Sequence, residues 1–411
     1  MSATSLMVLC LLPTGFVIEN ATVEIGDGTS LPQASVWVGD EGQIKGVGTS
    51  LQVPEGTERI DGRGKTITPG LIETQSQLGL TEVLMESSAD DTTLSVSAPA
   101  PTPGLRAAEG FNPHSVRVPI TREEGITTAI VSPEGTLLYG VGHAVELTTD
   151  LRARPATRPP VAMFGGLTSH DLDAAGESRG GAWLRLREIF DDVRYYDKNR
   201  KDFDEGDTRP LSLTRVHLEA MVPVIQGRLP LVLRVHRAVD ILSAIDFQAK
   251  QKIQLVIAGG AEAWMVAGEL AKARIPVIMQ PSIQAPASFD AFAAKDDSAS
   301  RLARAGVMLV ITAGEDWDEN QRRLRQEAGI AVAHGLPRAE ALRTIMATPA
   351  EVFGMEDRGR IEVGKRADLV LWSGDPLELS TVAEGIWIRG ARQSLNTRQK
   401  ELARRYRKVS H

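Results

Sequence analysis

Cysteine is almost missing from this chain: its 411 residues hold only Cys10. One thiol excludes an internal disulfide and a thiolate metal cluster, and it says nothing of the redox compartment. Long apolar runs are missing too. No stretch of 18 apolar residues occurs, so no spanning helix is expected. Positive charge is not in excess. Lys and Arg number 46 against 53 Asp and Glu, a net charge of −7 that gives no global electrostatic reason to bind nucleic acid. The sequence also lacks a Walker-type phosphate loop. What it does have is 42% hydrophobic and 24% charged residues. That composition builds a sizeable core and excludes disordered, collagen-like and disulfide-stapled classes. The length fits two or three domains, or one large barrel with an appendage.

The N-terminus reads two ways. Residues 6–12 (LMVLCLL) are either a signal-peptide core without a basic flank or an apolar segment of the fold. The compartment stays open, with a lean towards export. Residues 16–68 have β-texture: short runs rich in Val, Ile and Thr, broken by turn dipeptides such as Asp27-Gly28 and Asp61-Gly62. From about residue 70, apolar strands such as LPLVLRV, IQLVIAG and VMLVIT alternate with amphipathic stretches. That pattern signals βα units around a parallel sheet. The tight 20–25-residue repeat between Leu231, Leu255 and Ile275 favours a closed (β/α)8 barrel. Strands return after residue 352. The expected organisation is therefore a distorted barrel over 69–354 and a composite β-sandwich from 16–68 and 355–395. A basic helical tail follows over 396–411.

Three other segments stand apart. Residues 86–115, rich in Ser, Ala, Pro and Thr, read as a lid or a disordered insert on the ligand face of the barrel. The acidic run 191–207 reads as a peripheral solvated helix and loop, and its Tyr195 and Tyr196 could line a partner surface. The tail reads as a solvated helix packed on the body, with a membrane or partner arm as the alternative.

Residues 61–80 (DGRGKTITPGLIETQSQLGL), 334–354 (HGLPRAEALRTIMATPAEVFG) and 359–375 (GRIEVGKRADLVLWSGD) resemble the amidohydrolase superfamily. The resemblance is greatest to its imidazolonepropionase-like and prolidase-like branch. It implies a distorted TIM barrel with a composite β-sandwich, and hydrolysis of C–N bonds. It also implies one or two divalent ions, often zinc, that lower the pKa of a bound water from about 15.7 to about 7. In the family these ions sit on a His-x-His pair of strand 1, a His on each of strands 5 and 6, and an Asp on strand 8. This sequence departs at each place. The strand 1 pair is Gln75 and Gln77, strand 5 offers Arg234, strand 6 Gly259 and strand 8 Gly314. Amide oxygens are poor zinc ligands, glycine offers no side chain, and a guanidinium repels a cation. No catalytic metal or other cofactor is expected.

The expected ligand pocket holds Gln75, Gln77, Arg234, His236, Gly259 and Gly314. His236 lies two residues beyond Arg234, hence on the same strand face. With Asp240, Glu315 and Asp316 it makes the set of candidate catalytic residues for a rebuilt, metal-independent site. His114 lies in the long loop, and His143 and His170 read as lying in Gly-rich loops. Three functions follow. The first is a catalytically silent binding or scaffold subunit, as a homo-oligomer or paired with an active relative. The second is an active hydrolase with an atypical pocket. The third is a sensor of small carboxylates, since a guanidinium among amides suits an anion.

Overall fold

The structure, a computed structural model, describes residues 15–407 except 84–85, 95–99, 152–157, 174–175, 287 and 315–317. The apolar segment 6–12 lies outside the described residues. The first strands are β1 (Phe16–Glu24), β2 (Ser30–Val38), β3 (Ile44–Gly48), β4 (Glu58–Asp61) and β5 (Thr66–Pro69). The chain returns to them at its other end with β14 (Leu369–Trp372), β15 (Ala383–Ile388) and β16 (Ala391–Arg392). These eight form one sheet in the order β16-β15-β14-β5-β1-β2-β3, with β4 also paired to β1. The turn signals act as expected. Asp27 Oδ1 accepts the Thr29 amide at 2.9 Å, and Asp61 Oδ1 accepts the Arg63 amide at 3.1 Å. The two chain ends join where β5 runs antiparallel to β14. Ile18, Val36, Ile67 and Leu371 fill the core of this sheet, and Phe16 stacks on Trp387 with ring centroids 5.1 Å apart.

The second sheet contains β6 (Leu71–Ser76), β7 (Ile126–Val131), β8 (Leu138–Glu146), β9 (Ala162–Gly166), β10 (Leu231–Val235), β11 (Leu255–Gly259), β12 (Val277–Met279) and β13 (Leu309–Ile311). They are neighbours in that order. Helices α1 (Arg117–Arg122), α2 (Arg179–Lys198), α3 (Arg200–Glu205), α4 (Arg215–Ile225), α5 (Ala238–Gln251), α6 (Ala267–Ala273), α7 (Ser298–Arg304), α8 (Leu324–Ala333), α9 (Arg338–Thr344) and α10 (Ala347–Val352) lie between or after these strands. One departure from a regular repeat explains the distortion. β8 runs antiparallel to both β7 and β9, so the third place is held by a hairpin strand.

Strand alternation divides the core into two layers. Leu231, Leu233 and Val235 of β10 pack outwards with the helices, while Val232 packs inwards with Ile72, Ile130, Val256, Ile278 and Val310. Phe353 and Met355, following α10, join this inner layer. Each buried Leu or Val contributes roughly 1.5–3 kcal/mol of transfer free energy. The sheet curls, and side chains link its edge strands. Among the described residues no ladder joins β13 to β6. Instead the Glu73 carboxylate accepts from the amides of Thr74 (2.7 Å), Gln75 (3.0 Å) and Ala313 (2.9 Å) and from the Thr312 hydroxyl. Burial pushes the Glu73 carboxyl up to about 7, against the pull of these donors.

Three segments differ from the sequence reading. Part of 86–115 packs against β8: the Thr102 amide donates to Leu138 O (2.8 Å), and the Val141 amide donates to Leu105 O (2.8 Å). Ala107 and Ala108 are buried, so this part of the segment is a buttress. Tyr196 is buried and meets Phe203 edge-on at 5.0 Å. It is a core residue of α2, not part of a partner surface. The tail forms α11 (Arg398–Tyr406), every residue of which is exposed. It does not pack on the body as expected. Residues 408–411 lie outside the described residues.

Candidate ligand site at the barrel mouth

Arg234 is the next inward position of β10 after Val232, so strand parity delivers its guanidinium into the barrel mouth. There Nη2 donates to Asp171 Oδ1 at 2.9 Å and to the Tyr139 hydroxyl at 3.0 Å. Tyr139 in turn donates to Asp171. The guanidinium carbon lies 5.5 Å from the Tyr139 ring centroid. Asp171 is fully buried and closes a short helical turn. Its Oδ2 accepts from the Thr168 amide (2.8 Å) and hydroxyl (2.6 Å), a reciprocal capping box. Tyr139 and Asp171 hold Arg234 firmly in its charged form, and burial keeps the Tyr139 phenol protonated. Gly166 makes this approach possible, because a Cβ there would stand 2.0 Å from the Tyr139 oxygen.

Two connected spaces share Arg234 and Glu134. The inner chamber, about 50 Å³, is lined by Gln75, Gln77, Tyr139, Arg234, Ala258 and Gly314 among others. The outer cavity, about 480 Å³, is lined by Arg234, His236, His170, Gln284 and Asp290 among others. Gly314 packs against the first strand so tightly that a Cβ built on it would stand 1.7 Å from the Gln75 carbonyl oxygen. Burial first, then the neighbouring Arg234, push the His236 imidazole down to about 4, so it is neutral at pH 7.

The structure brings together five of the expected pocket residues and separates the sixth. Gly259 falls on the outward parity of β11; in the ladder Arg234 faces Ala258, and Ala258 lines the chamber instead. Gly259 ends its strand with φ +84°. Asp240 is also set apart. It lies in the first turn of α5, where Arg179 Nε reaches it at 3.0 Å and Arg237 Nε at 3.5 Å, and it lines neither space. Glu315 and Asp316 lie outside the described residues. His143 belongs to β8, not to a loop, and is fully buried; burial lowers its pKa to about 4. His170 lies on the short turn Ser169–Asp171. Tyr139, Glu134 and Asp171 were not anticipated. The one signal for Asp171 is the Thr168-x-x-Asp171 spacing of a capping box.

The curled sheet, the composite second sheet and the open mouth define an α/β-barrel protein with a second sheet built from both chain ends. A sequence description of the amidohydrolase family matches residues 320–392. The chain is 21% identical over 425 residues to amidohydrolase tasK of Hapsidospora irregularis, covering 92% of this chain and 43% of that relative. It thus spans less than half the length of that curated relative. Among solved structures, an amidohydrolase from Thermotoga maritima superposes with a TM-score of 0.82 at 25% identity, covering 92% of this chain and 99% of the other. Molinate hydrolase superposes with a TM-score of 0.56 at 15% identity, covering 94% and 96%, and shares the fold. The chain thus carries an amidohydrolase family match near its C-terminal end, and its structural neighbours include amidohydrolases.

Proposed function

We propose that this chain is a catalytically silent member of the amidohydrolase family, whose barrel mouth binds a small molecule without a hydrolytic metal. The observation that carries this reading is the Arg234–Asp171–Tyr139 cluster at the place where the family resemblance implies a strand 5 imidazole. A permanent cation, already hydrogen-bonded in place, disfavours a divalent ion beside it. Two amides, Gln75 and Gln77, complete a donor set that does not suit zinc. The aspartate of strand 8 has no room to be restored, because the Gln75 carbonyl occupies the space a side chain at 314 would need. Among the described residues, no group of three or more His, Cys, Asp or Glu side chains is placed to hold a metal ion.

The test is metal analysis of protein purified without chelators, followed by melting with and without EDTA and a screen of amides, dipeptides and lactones. The expected outcome is metal far below one per chain, an unchanged melting temperature and no turnover. Stoichiometric zinc, manganese or iron, with melting lowered by EDTA, would overturn the reading. A metal-free hydrolase centred on His236 is less well supported. Its imidazole is a weak base, and among the described residues no hydroxyl is hydrogen-bonded to it.

A further inference from the structure

Four buried polar atoms without a hydrogen-bond partner belong to residues lining the two connected spaces: Gln75 Oε1, Arg234 Nε, His236 Nδ1 and Gln284 Oε1. A buried polar atom left unpaired costs about 1–3 kcal/mol, so such atoms are uncommon and call for a physical cause. Gln284 is the most informative of the four. It is only 4% exposed, and its Nε2 is held by Gln280 O at 3.1 Å, which fixes the amide with Oε1 unpaired. Arg234, His236 and Gln284 line the outer cavity, which is of small-molecule size, and Gln75 lines the inner chamber on the other side of Arg234.

Their chemistry discriminates between ligands. Arg234 Nε is a donor, and the two glutamine oxygens are acceptors. A carboxylate brings acceptors only. It would leave both glutamine oxygens unpaired and stand near the carboxylates of Glu134 and Asp290, while the charge of Arg234 is already balanced by Asp171. An ammonium brings donors only, and it would meet the guanidinium. Resting on the metal-free reading above, we infer that the cavity binds a neutral cyclic polyol or monosaccharide, whose hydroxyls each donate and accept. The apolar parts of the wall, Ile283 and Ala261 among them, suit the C–H faces of such a ring.

The test is thermal melting and ligand-observed NMR on the full chain with myo-inositol, D-glucose and D-galactose, and with D-gluconate and D-glucarate as charged counterparts. The expected result is a saturable rise in melting temperature with at least one neutral probe, and none with the acids. Gln284→Met keeps the volume and removes the acceptor, so it should weaken that binding about tenfold. Arg234→Met is a second variant should the first fail to fold. Acids that bind as well as the neutral probes, or neutral probes that leave both melting and NMR signals unchanged, would overturn the inference. Metal content measured on the same sample separates the two ideas. Polyol binding by a metal-loaded protein would remove the metal-free reading and leave this one, and a metal-free protein indifferent to polyols would do the reverse.

Discussion

Two buried arginine–carboxylate clusters sit at different places in this molecule. At the end of β8, Glu146 Oε1 accepts from Arg158 (2.8 Å), Arg366 (2.9 Å) and Arg389 (2.7 Å), and its Oε2 also accepts from Arg389 (3.0 Å). Arg366 and Arg389 flank β14 and β15, so this hub ties the barrel to the composite sheet. At the mouth, Arg234 is held by Asp171 and Tyr139, yet its Nε stays unpaired and a cavity opens beside it. The same residue types thus make a crowded structural joint in one place and a half-satisfied wall in the other. The presence of a buried ion pair does not tell the two apart. What does is whether open space lies next to it, since a buried Nε without a hydrogen-bond partner occurs on Arg366 as well as on Arg234.

The comparison breaks most sharply at Glu146. Burial alone would raise its pKa, but the guanidiniums of Arg389, Arg366 and Arg158 overcome this and hold it well below the usual carboxylate range. Glu146→Ala leaves buried Arg366 without that partner and should cost about 3–5 kcal/mol in denaturant unfolding. The sign with pH follows from the depressed folded-state pKa. The stabilisation is present above the unfolded value, near 4.5, and is lost as pH falls through the folded value. Wild type should therefore lose stability on acidification more steeply than Glu146→Ala. Equal acid slopes in the two proteins would show that the hub does not act as an ionic joint.

Asp171→Asn addresses the other cluster. Arg234 is partly open to solvent, so the expected loss is smaller, about 1–3 kcal/mol. The informative readout is selectivity. With its counter-charge removed, Arg234 becomes a free cation at the wall, and D-gluconate should now raise the melting temperature where it did not before. A variant that still ignores the acid would mean that Asp171 is not what masks Arg234.

How much of this was legible in the sequence depends on the segment. The family resemblance assigns Arg234 to the strand 5 ligand position, and the alternation of LVLRV in β10 delivers it to the mouth. Gly259, assigned to strand 6 in the same way, falls on the other face, because aligning a motif to a strand fixes neither its parity nor its last inward residue; the ladder pairs Arg234 with Ala258. Tyr139 and His143 lie in a strand whose glycines, Gly140 and Gly142, gave it the texture of a loop. In fact those glycines sit where Leu105 and Phe164 crowd the backbone. The unpaired atoms of Gln284 and Arg234 had no sequence signal at all, since they arise only when distant segments converge.

The exposed tail extends the comparison to its weak limit. Lys400 of α11 pairs with Glu123 at 2.5 Å; the lysine side chain is half-exposed, that of Glu123 is largely covered, and no residue of the helix is buried. An isolated helix of nine residues has little stability of its own, and an ion pair whose lysine is half in water contributes about 0–1 kcal/mol. Ending the chain after Thr397, whose side chain is buried and caps the helix through the Lys400 amide, should therefore change the unfolding free energy by about 0.5 kcal/mol or less. Leucine and tyrosine at 402 and 406 lie one turn apart and are both exposed. A larger loss on truncation, especially one that depends on protein concentration, would mean that this face is covered in solution, and that Lys400 belongs with Glu146 among the joints.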